Sequence, residues 1–258
     1  MRITSFASGS RANATLVESS GEAILVDCGV SYRTLKRHLP ARLSGILVTH
    51  SHTDHVSGLR TLLQHVDAPV FANALTAEAT AWQEKLSPEA FALFENGQTF
   101  EVGPFAVAPF SIPHDTSDPV GFLVRADGLV YFHATDVGTP LDSIGLKLAE
   151  ADVATLESNH DAVMLRTSRR PPSLIQRIAG PRGHLSNDQA DDLVRRFASP
   201  RLKALALAHL SRECNAPHLA EDAMKATLLG MGRGDVALKV LSQDETVVIW
   251  DGEPLPCR

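Results

Sequence analysis

The six residues His50-Ser51-His52-Thr53-Asp54-His55 decide the fold of this chain. They follow a compact apolar run at 45–48, typical of a buried strand, and precede apolar residues at helical spacing from 59 to 66. Alternate residues of an extended segment point the same way, so His50 and His52 can present two imidazoles to one metal ion. Asp54 and His55 follow a bend toward the helix, where they can face a second ion. Imidazole and carboxylate ligands suit zinc, manganese or iron.

Further ligand-type residues occur where later apolar strands are predicted to end. His114 follows the run 110–113, Asp136 follows 131–135, and His209 follows 205–208. Each of them alone would more often be a hydrogen-bonded residue of the surface or the core. Their order after the six-residue segment favours metal ligands instead.

The rest of the chain mixes strand and helix signals. Strands are predicted at 3–6, 15–17, 23–26, 69–72, 99–102, 105–112, 120–124, 129–132 and 202–207, and 236–241 with 246–250 is predicted to be a closing pair. Helices are predicted at 32–39, 76–85, 144–149, 174–179, 186–197 and 219–229. The capping-box pair Ser186 and Gln189 marks the start of the helix at 186–197. Without a repeat or a long linker, these signals predict an α/β fold in a single domain, residues 1–258.

Composition narrows the class of protein. The 258 residues carry 24 Lys plus Arg against 30 Asp plus Glu, a net charge of −6, and 44% of them are hydrophobic. These values exclude a disordered chain. The longest apolar run, 204–208, is too short to span a bilayer, and the first ten residues lack an apolar signal segment, so a cytoplasmic protein with no membrane partner is predicted. Three cysteines without a C-x-x-C pattern, at 28, 214 and 257, predict reduced thiols.

The order of these motifs resembles the metallo-β-lactamase fold superfamily. The matching elements are Asp27 in Leu25-Val26-Asp27-Cys28-Gly29, the H-x-H-x-D-H segment, and the three later ligand-type residues. The resemblance implies an αββα sandwich of two mixed sheets flanked by helices. It also implies two divalent metal ions, zinc or manganese with iron as a further option, divided among seven ligands. By this resemblance one ion would be held by His50, His52 and His114, the other by Asp54, His55 and His209, with Asp136 bridging them and Asp27 orienting ligands.

Three further segments resemble the YycJ (WalJ) branch of this superfamily, which comprises exonucleases that degrade DNA from the five-prime end. They are Ser8-Gly9-Ser10 followed by Asn13, 157–161 with 164–166, and 183–187. The Glu157 and His184 segments are also similar to elements of RNase Z. The branch resemblance implies a phosphodiesterase that activates water with two metal ions, with Asp54, His184 and Glu157 as catalytic residues. His184, supported by Glu157, would protonate the leaving oxygen.

A local excess of arginine suits a nucleic-acid partner, with DNA favoured. Between 160 and 182 the only acidic residue is Asp161, and a basic strip can steer a phosphate backbone although the whole chain is acidic. Arg166 or Arg177 would hold a flanking phosphate, and Ser186 and Asn187 are further candidates. The strip consists of Arg166, Arg169, Arg170, Arg177 and Arg182.

Other functions stay open at this point. An RNase Z-like or other RNA phosphodiesterase would use the same ligands, as would a thioesterase or lactonase acting on a small acyl substrate. A non-catalytic metal-binding or nucleic-acid-binding module is the alternative from another class, although binding alone does not need seven ligands. The sequence leaves undecided the metal, the choice of DNA or RNA, the polarity, the pathway and the oligomeric state.

Overall fold

A computed structural model describes residues 1–40 and 42–252 of the chain. Its strands are β1 Arg2–Ala7, β2 Ala14–Ser19, β3 Glu22–Val26, β4 Leu43–Leu47, β5 Val70–Ala72, β6 Phe91–Leu93, β7 Phe100–Val102, β8 Phe105–Ser111, β9 Val120–Ala126, β10 Leu129–Ala134, β11 Val153–Glu157, β12 Ala204–Ala208, β13 Ala237–Val240 and β14 Val247–Trp250. Its α-helices are α1 Tyr32–Leu35, α2 Thr53–Val56, α3 Leu59–Leu63, α4 Ala74–Glu84, α5 Asp142–Leu148, α6 Ala162–Thr167, α7 Pro172–Ile178, α8 Asn187–Phe197 and α9 Pro217–Gly230. Among the described helices, none is long and apolar enough to cross a membrane.

The strands form two mixed seven-stranded sheets with helices beside them, which confirms the predicted fold class. The strand orders are β14-β1-β2-β3-β4-β5-β6 and β13-β12-β11-β10-β9-β8-β7. The described chain divides into two compact units, the first built from residues within 1–111, 116–128 and 242–252 and the second from 112–115 and 129–241. The single domain expected for 1–258 stays a prediction.

In the first unit, parallel pairing brings the carboxyl ends of β3 and β4 side by side. Val26 lies opposite Leu47 in the register. The last residues of both strands are fully buried apolar side chains, because this part of the sheet is covered on both faces. The predicted apolar run 45–48 is therefore a buried strand, and it delivers the six-residue segment to the carboxyl edge of the sheet.

In the second unit, β10, β11 and β12 are parallel neighbours that end at one edge. Ala134 pairs with Leu156, and Leu156 with Leu207. Helices connect each strand to the next, as parallel pairing requires. The polar residues that directly follow these strands are therefore gathered at one edge, which is where open α/β sheets carry their binding sites.

The predicted closing pair at 236–241 and 246–250 is wrong. β13 pairs in parallel with β12, whereas β14 pairs antiparallel with β1 in the other sheet. Two short apolar runs around a polar turn are typical of a hairpin, but here each run pairs with a strand that is more distant in the sequence. The sequence also did not predict β6 or α6. The helix expected over 59–66 is shorter in the structure, where α3 ends at Leu63, and a separate short helix, α2, precedes it.

Two cysteines are buried and free, as predicted for reduced thiols. They are Cys28 and Cys214. Burial raises the pKa of the Cys28 thiol to about 12, and Asp27 beside it acts in the same direction. A thiol in this state is inert at neutral pH. Cys257 lies outside the described residues.

The capping box predicted at the start of α8 is confirmed. The Ser186 hydroxyl accepts a hydrogen bond from the Gln189 backbone N–H, and the Gln189 side chain accepts one from the Ser186 backbone N–H. This box fixes where α8 begins and therefore the position of the residues just before it, including His184.

The Asp191→Asn variant is expected to be more stable than the native chain at pH 7.5 and equally stable at pH 4. Burial and the charge of Asp188 raise the pKa of Asp191 to about 6 from 3.8. Between these values the unfolded chain has lost a proton that the folded chain keeps, so the native chain loses stability as the pH rises through about 6. Urea unfolding of both metal-free proteins at the two pH values measures the difference. A variant less stable than the native chain at pH 7.5 would contradict this reading.

Candidate metal centre

Asp27 lies at the end of β3 and is held by Thr49, which follows β4. The Thr49 backbone N–H donates to Asp27 Oδ1 at 2.9 Å, and its hydroxyl lies 2.9 Å from Oδ2. Asp27 itself has a left-handed backbone with φ +59°, a conformation that Asp tolerates better than most residues. Both residues are buried. The buried carboxylate is therefore fixed at the strand edge.

This Asp27–Thr49 pair sets the orientation of two histidines in the six-residue segment. His55 Nδ1 lies 2.8 Å from Asp27 Oδ2, and since a carboxylate only accepts, this nitrogen carries the proton. The Thr49 hydroxyl gives its hydrogen to Asp27 and so accepts from His50 Nδ1 at 3.0 Å. In both imidazoles Nε2 is left as the nitrogen with a lone pair.

The four ligand-type residues of the segment lie together. The ring centroid of His50 is 4.7 Å from that of His52 and 4.0 Å from that of His55. His55 Nε2 lies 3.4 Å from Asp54 Oδ2. His50 and His55 are fully buried, whereas His52 and Asp54 are half-buried. These distances bring the four side chains together, and the assignment of each side chain to an ion stays a prediction.

Asp136 is the focus of a second cluster, at the carboxyl edge of β10, β11 and β12. Its Oδ1 lies 3.6 Å from a ring nitrogen of each of three histidines, His114, His184 and His209. Asp136 and His209 both have left-handed backbones, with φ +59° and +57°. For a non-glycine residue such a conformation is uncommon and is found at functional sites. A carboxylate among three imidazoles is a donor set for a divalent transition ion.

Glu157 underlies this cluster and accepts four hydrogen bonds. Its Oε1 accepts from His184 Nδ1 at 2.9 Å and from His209 Nδ1 at 3.0 Å. Its Oε2 accepts from the backbone N–H groups of Val137 and Leu185 at 2.8 and 3.0 Å. Burial would raise the pKa of Glu157, but the charge of His184 and these hydrogen bonds lower it to about 2. Glu157 is therefore a carboxylate at neutral pH, although it is fully buried.

His184 shares Glu157 with His209 but is the more accessible of the two imidazoles. Its side chain is 20% exposed, whereas that of His209 is 3% exposed. Burial would lower the pKa of His184, and the adjacent Glu157 carboxylate raises it overall. An accessible imidazole that is held in place by a buried carboxylate is the arrangement required of a proton donor.

The anchoring of Nδ1 atoms shows that divalent metal fits these residues. Beside the bonds of His50, His55 and His209 already described, His114 Nδ1 donates to the Gly183 carbonyl at 3.0 Å. Metal-ligating histidines almost always give one ring N–H to an oxygen of the protein, which fixes the tautomer and frees the other nitrogen. Four of the five predicted histidine ligands follow this pattern, so their Nε2 atoms are the ones available to an ion.

Arginines of the predicted basic strip are partly neutralised by acids distant in the sequence. Arg177 pairs with Asp115, which raises the pKa of its guanidinium, and Arg170 Nε lies 3.2 Å from Glu213. The Nε of Arg182 donates to the His114 carbonyl at 2.9 Å. Arg166 and Arg169 are exposed. The positive charge of the strip is therefore lower than the residues within 160–182 alone predict, because Asp115 and Glu213 lie outside that range.

Ser186 and Asn187, predicted to bind phosphate, use their side chains within the fold. Ser186 caps α8, and Asn187 Oδ1 accepts from Ser158 at 2.7 Å and from Asn215 at 2.9 Å. Asn187 is buried. These contacts give both residues structural roles, and phosphate binding by them stays a prediction.

Sequence reasoning gave no role to three polar residues that contact the predicted ligands. Thr49 anchors Asp27 and His50, and Asn159 donates to the His209 carbonyl at 2.7 Å. Asn13 contacts Asp54 and His55. Thr49 could have been singled out, because it stands between the buried strand and the first histidine. Asn13 and Asn159 lie in segments that carry the resemblance to the YycJ (WalJ) branch, but their partners are remote in the sequence.

Comparisons with known proteins identify the family of this chain. The family model described as "Beta-lactamase superfamily domain" matches residues 22–206. The chain is 32% identical over 239 residues to "Exodeoxyribonuclease WalJ" of Streptococcus pneumoniae, covering 88% of this chain and 89% of the relative. It is 31% identical over 235 residues to "Exodeoxyribonuclease YycJ" of Bacillus anthracis, with the same coverage.

A solved structure shows the same fold. The metallo-β-lactamase fold protein YhfI of Bacillus subtilis superposes with a TM-score of 0.71, covering 97% of this chain and 99% of its own. The two sequences are only 17% identical, so this likeness concerns the fold alone.

Proposed function

Because the chain belongs to the beta-lactamase superfamily, and within it to the YycJ/WalJ-type branch, we propose that it is a metal-dependent hydrolase that degrades DNA as an exonuclease. The observation that carries this proposal is the similarity to two proteins named exodeoxyribonucleases along 88% of the chain. The clusters of histidine and carboxylate at the strand ends supply the chemistry that such a hydrolase needs. Action from the five-prime end and a cytoplasmic location complete the proposal.

The proposed metal ligands are those predicted from the sequence. Divalent ions supply a Lewis acid for the phosphoryl oxygens and a nucleophile at neutral pH. Zinc and manganese both suit imidazole and carboxylate donors. They are His50, His52, Asp54 and His55 of the six-residue segment, together with His114, Asp136 and His209.

The protein's own contribution to the reaction is orientation and proton transfer. Asp27 and Glu157 keep the imidazoles they bond in fixed tautomers, because both carboxylates only accept hydrogen bonds. His184 would donate a proton to the leaving oxygen, and the Glu157 carboxylate stabilises the charged form of the His184 imidazole. Exposed arginines near α6, Arg166 among them, would contact the phosphates of the strand.

Incubation of end-labelled substrates with the purified protein tests this function. Single- and double-stranded DNA and RNA are offered with Mn²⁺, Zn²⁺ or Mg²⁺, and the label shows which end is shortened. We expect DNA to be shortened from its five-prime end and a chelator to stop the reaction. Faster cleavage of RNA would favour an RNase Z-like activity, and turnover of only a thioester or a lactone would refute the proposal.

The His184→Ala variant is expected to lower the rate of DNA hydrolysis by about 10²–10⁴-fold while the bound metal is retained. The variant removes a proton donor but leaves the bond between Glu157 and His209 in place. Elemental analysis and single-turnover rates measure the two effects separately. His218, an exposed histidine of α9, provides the matched control as His218→Ala. Loss of metal in the His184 variant would make this residue a ligand instead.

A further inference from the structure

The side chain of Asn13 lies beside two predicted metal ligands of the first unit. Its Nδ2 is 3.1 Å from Asp54 Oδ2 and 2.9 Å from His55 Nε2. Asn13 is buried, with 5% of its surface exposed. The contacts join a residue of the loop between β1 and β2 to the six-residue segment 41 positions further along the chain.

The orientation of this amide is fixed by Gly9. The Gly9 backbone N–H donates to Asn13 Oδ1 at 2.9 Å, so this atom is the oxygen and Nδ2 faces the ligands. Nδ2 also donates to the Gly9 carbonyl at 3.1 Å. One of its two hydrogens is thus directed at the loop, and the other is directed at Asp54 and His55.

The backbone around Asn13 is joined to the same segment. The Asn13 N–H donates to the Asp54 carbonyl at 2.8 Å, and the Asn13 carbonyl accepts from the Gly29 N–H at 2.9 Å. A side chain at position 29 would collide with the Asp54 carbonyl, which explains a glycine here. Asn13 is therefore held rigidly, and an amide held rigidly can position its neighbours.

We propose that Asn13 is a positioning residue of the metal centre: its Nδ2 hydrogen holds the Asp54 carboxylate in the orientation in which its oxygen lies next to His55 Nε2. His55 Nδ1 is committed to Asp27, so Nε2 has a lone pair that cannot donate to Asp54. Two acceptors 3.4 Å apart repel each other unless a donor or a cation stands near both. Asn13 provides that donor, so the pair is in place before an ion binds. This inference rests on the proposed function.

Metal titration of the Asn13→Ala variant tests the inference without a nuclease assay. Metal-free protein is titrated with Mn²⁺ and with Zn²⁺ in competition with a chromophoric chelator. With either metal, we expect the affinity of one of the two proposed binding positions to fall about 10–100-fold, the range for the loss of a hydrogen bond to a ligand. The other position should bind its ion as in the native chain. The rate constant kcat of DNA hydrolysis should fall with it, and KM should change little.

Asn73→Ala is the matched control. Asn73 is also a buried asparagine of the first unit, and it bonds Thr76, Asn96 and Asp118 but none of the predicted ligands. It should lose thermal stability and keep both metal affinities. If Asn13→Ala behaves like Asn73→Ala, with lower stability but native metal binding, the inference is overturned. If Asn13→Ala does not fold, Asn13→Ser retains a polar group too short to reach Asp54 and must show the same loss of affinity. Failure of the native chain to cleave DNA would refute the proposed function but not this result.

Discussion

Replacement of Asp136 by Asn is expected to lower DNA hydrolysis by about 10³-fold or more, because the neutralisation of phosphoryl charge by a metal ion contributes several kcal/mol. Asp136 Oδ1 is 3.6 Å from nitrogen atoms of His114 and His209, both of them predicted ligands. Asn keeps the shape of the side chain and tolerates the left-handed backbone at this position. The variant therefore removes the charge of the carboxylate without straining the turn that carries it.

Two measurements and one control decide this prediction. Bound metal should fall together with the rate, and the far-ultraviolet circular dichroism should stay native. Asp152→Asn is the control, since Asp152 is likewise a buried carboxylate of the second unit, paired with Arg201 at 2.8 Å and Lys203 at 3.4 Å. It should cost stability and leave metal content unchanged. Native metal content and a native rate in the Asp136 variant would remove this residue from the metal centre.

The sequence predicted the parts of this protein that local signals determine. An apolar run that ends in a polar residue is visible without a structure, and parallel strands place such ends together. The run 45–48 before His50 and the run 205–208 before His209 are both buried strands as expected. The capping box at Ser186 was equally local, because a helix start depends on residues three positions apart.

The remaining features depend on partners that are distant along the chain. β13 and β14 are separated by six residues yet belong to different sheets. Arg177 is neutralised by Asp115, 62 positions away, so no count within its own segment could reveal the pair. The hydrogen bond that His209 donates to Glu157 spans 52 positions of the sequence. Only the three-dimensional fold shows that one carboxylate serves both the expected proton donor and an expected ligand.

That shared carboxylate leads to the second large effect. Glu157→Gln is expected to lower DNA hydrolysis by at least about 10²-fold, since the loss of a partner that orients a metal-ligating histidine costs 10–100-fold and His184 loses its partner too. A glutamine can offer one oxygen, whereas four donors point at Glu157. If the oxygen faces the imidazoles, the amide nitrogen faces the backbone N–H groups of Val137 and Leu185.

The same mismatch predicts a loss of stability in the Glu157 variant. Each buried donor left without an acceptor costs about 1–3 kcal/mol, so the free energy of unfolding of the metal-free variant at pH 7.5 should fall by at least this amount. Asp191→Asn, a substitution at another buried carboxylate of the second unit, should change stability in the opposite direction. The contrast follows from the pKa values, about 2 for Glu157 and about 6 for Asp191, because the fold favours the charged form of the first and the neutral form of the second. Urea unfolding of both variants measures the two signs. A Glu157 variant as stable as the native chain would mean that the four hydrogen bonds accepted by Glu157 do not stabilise the fold.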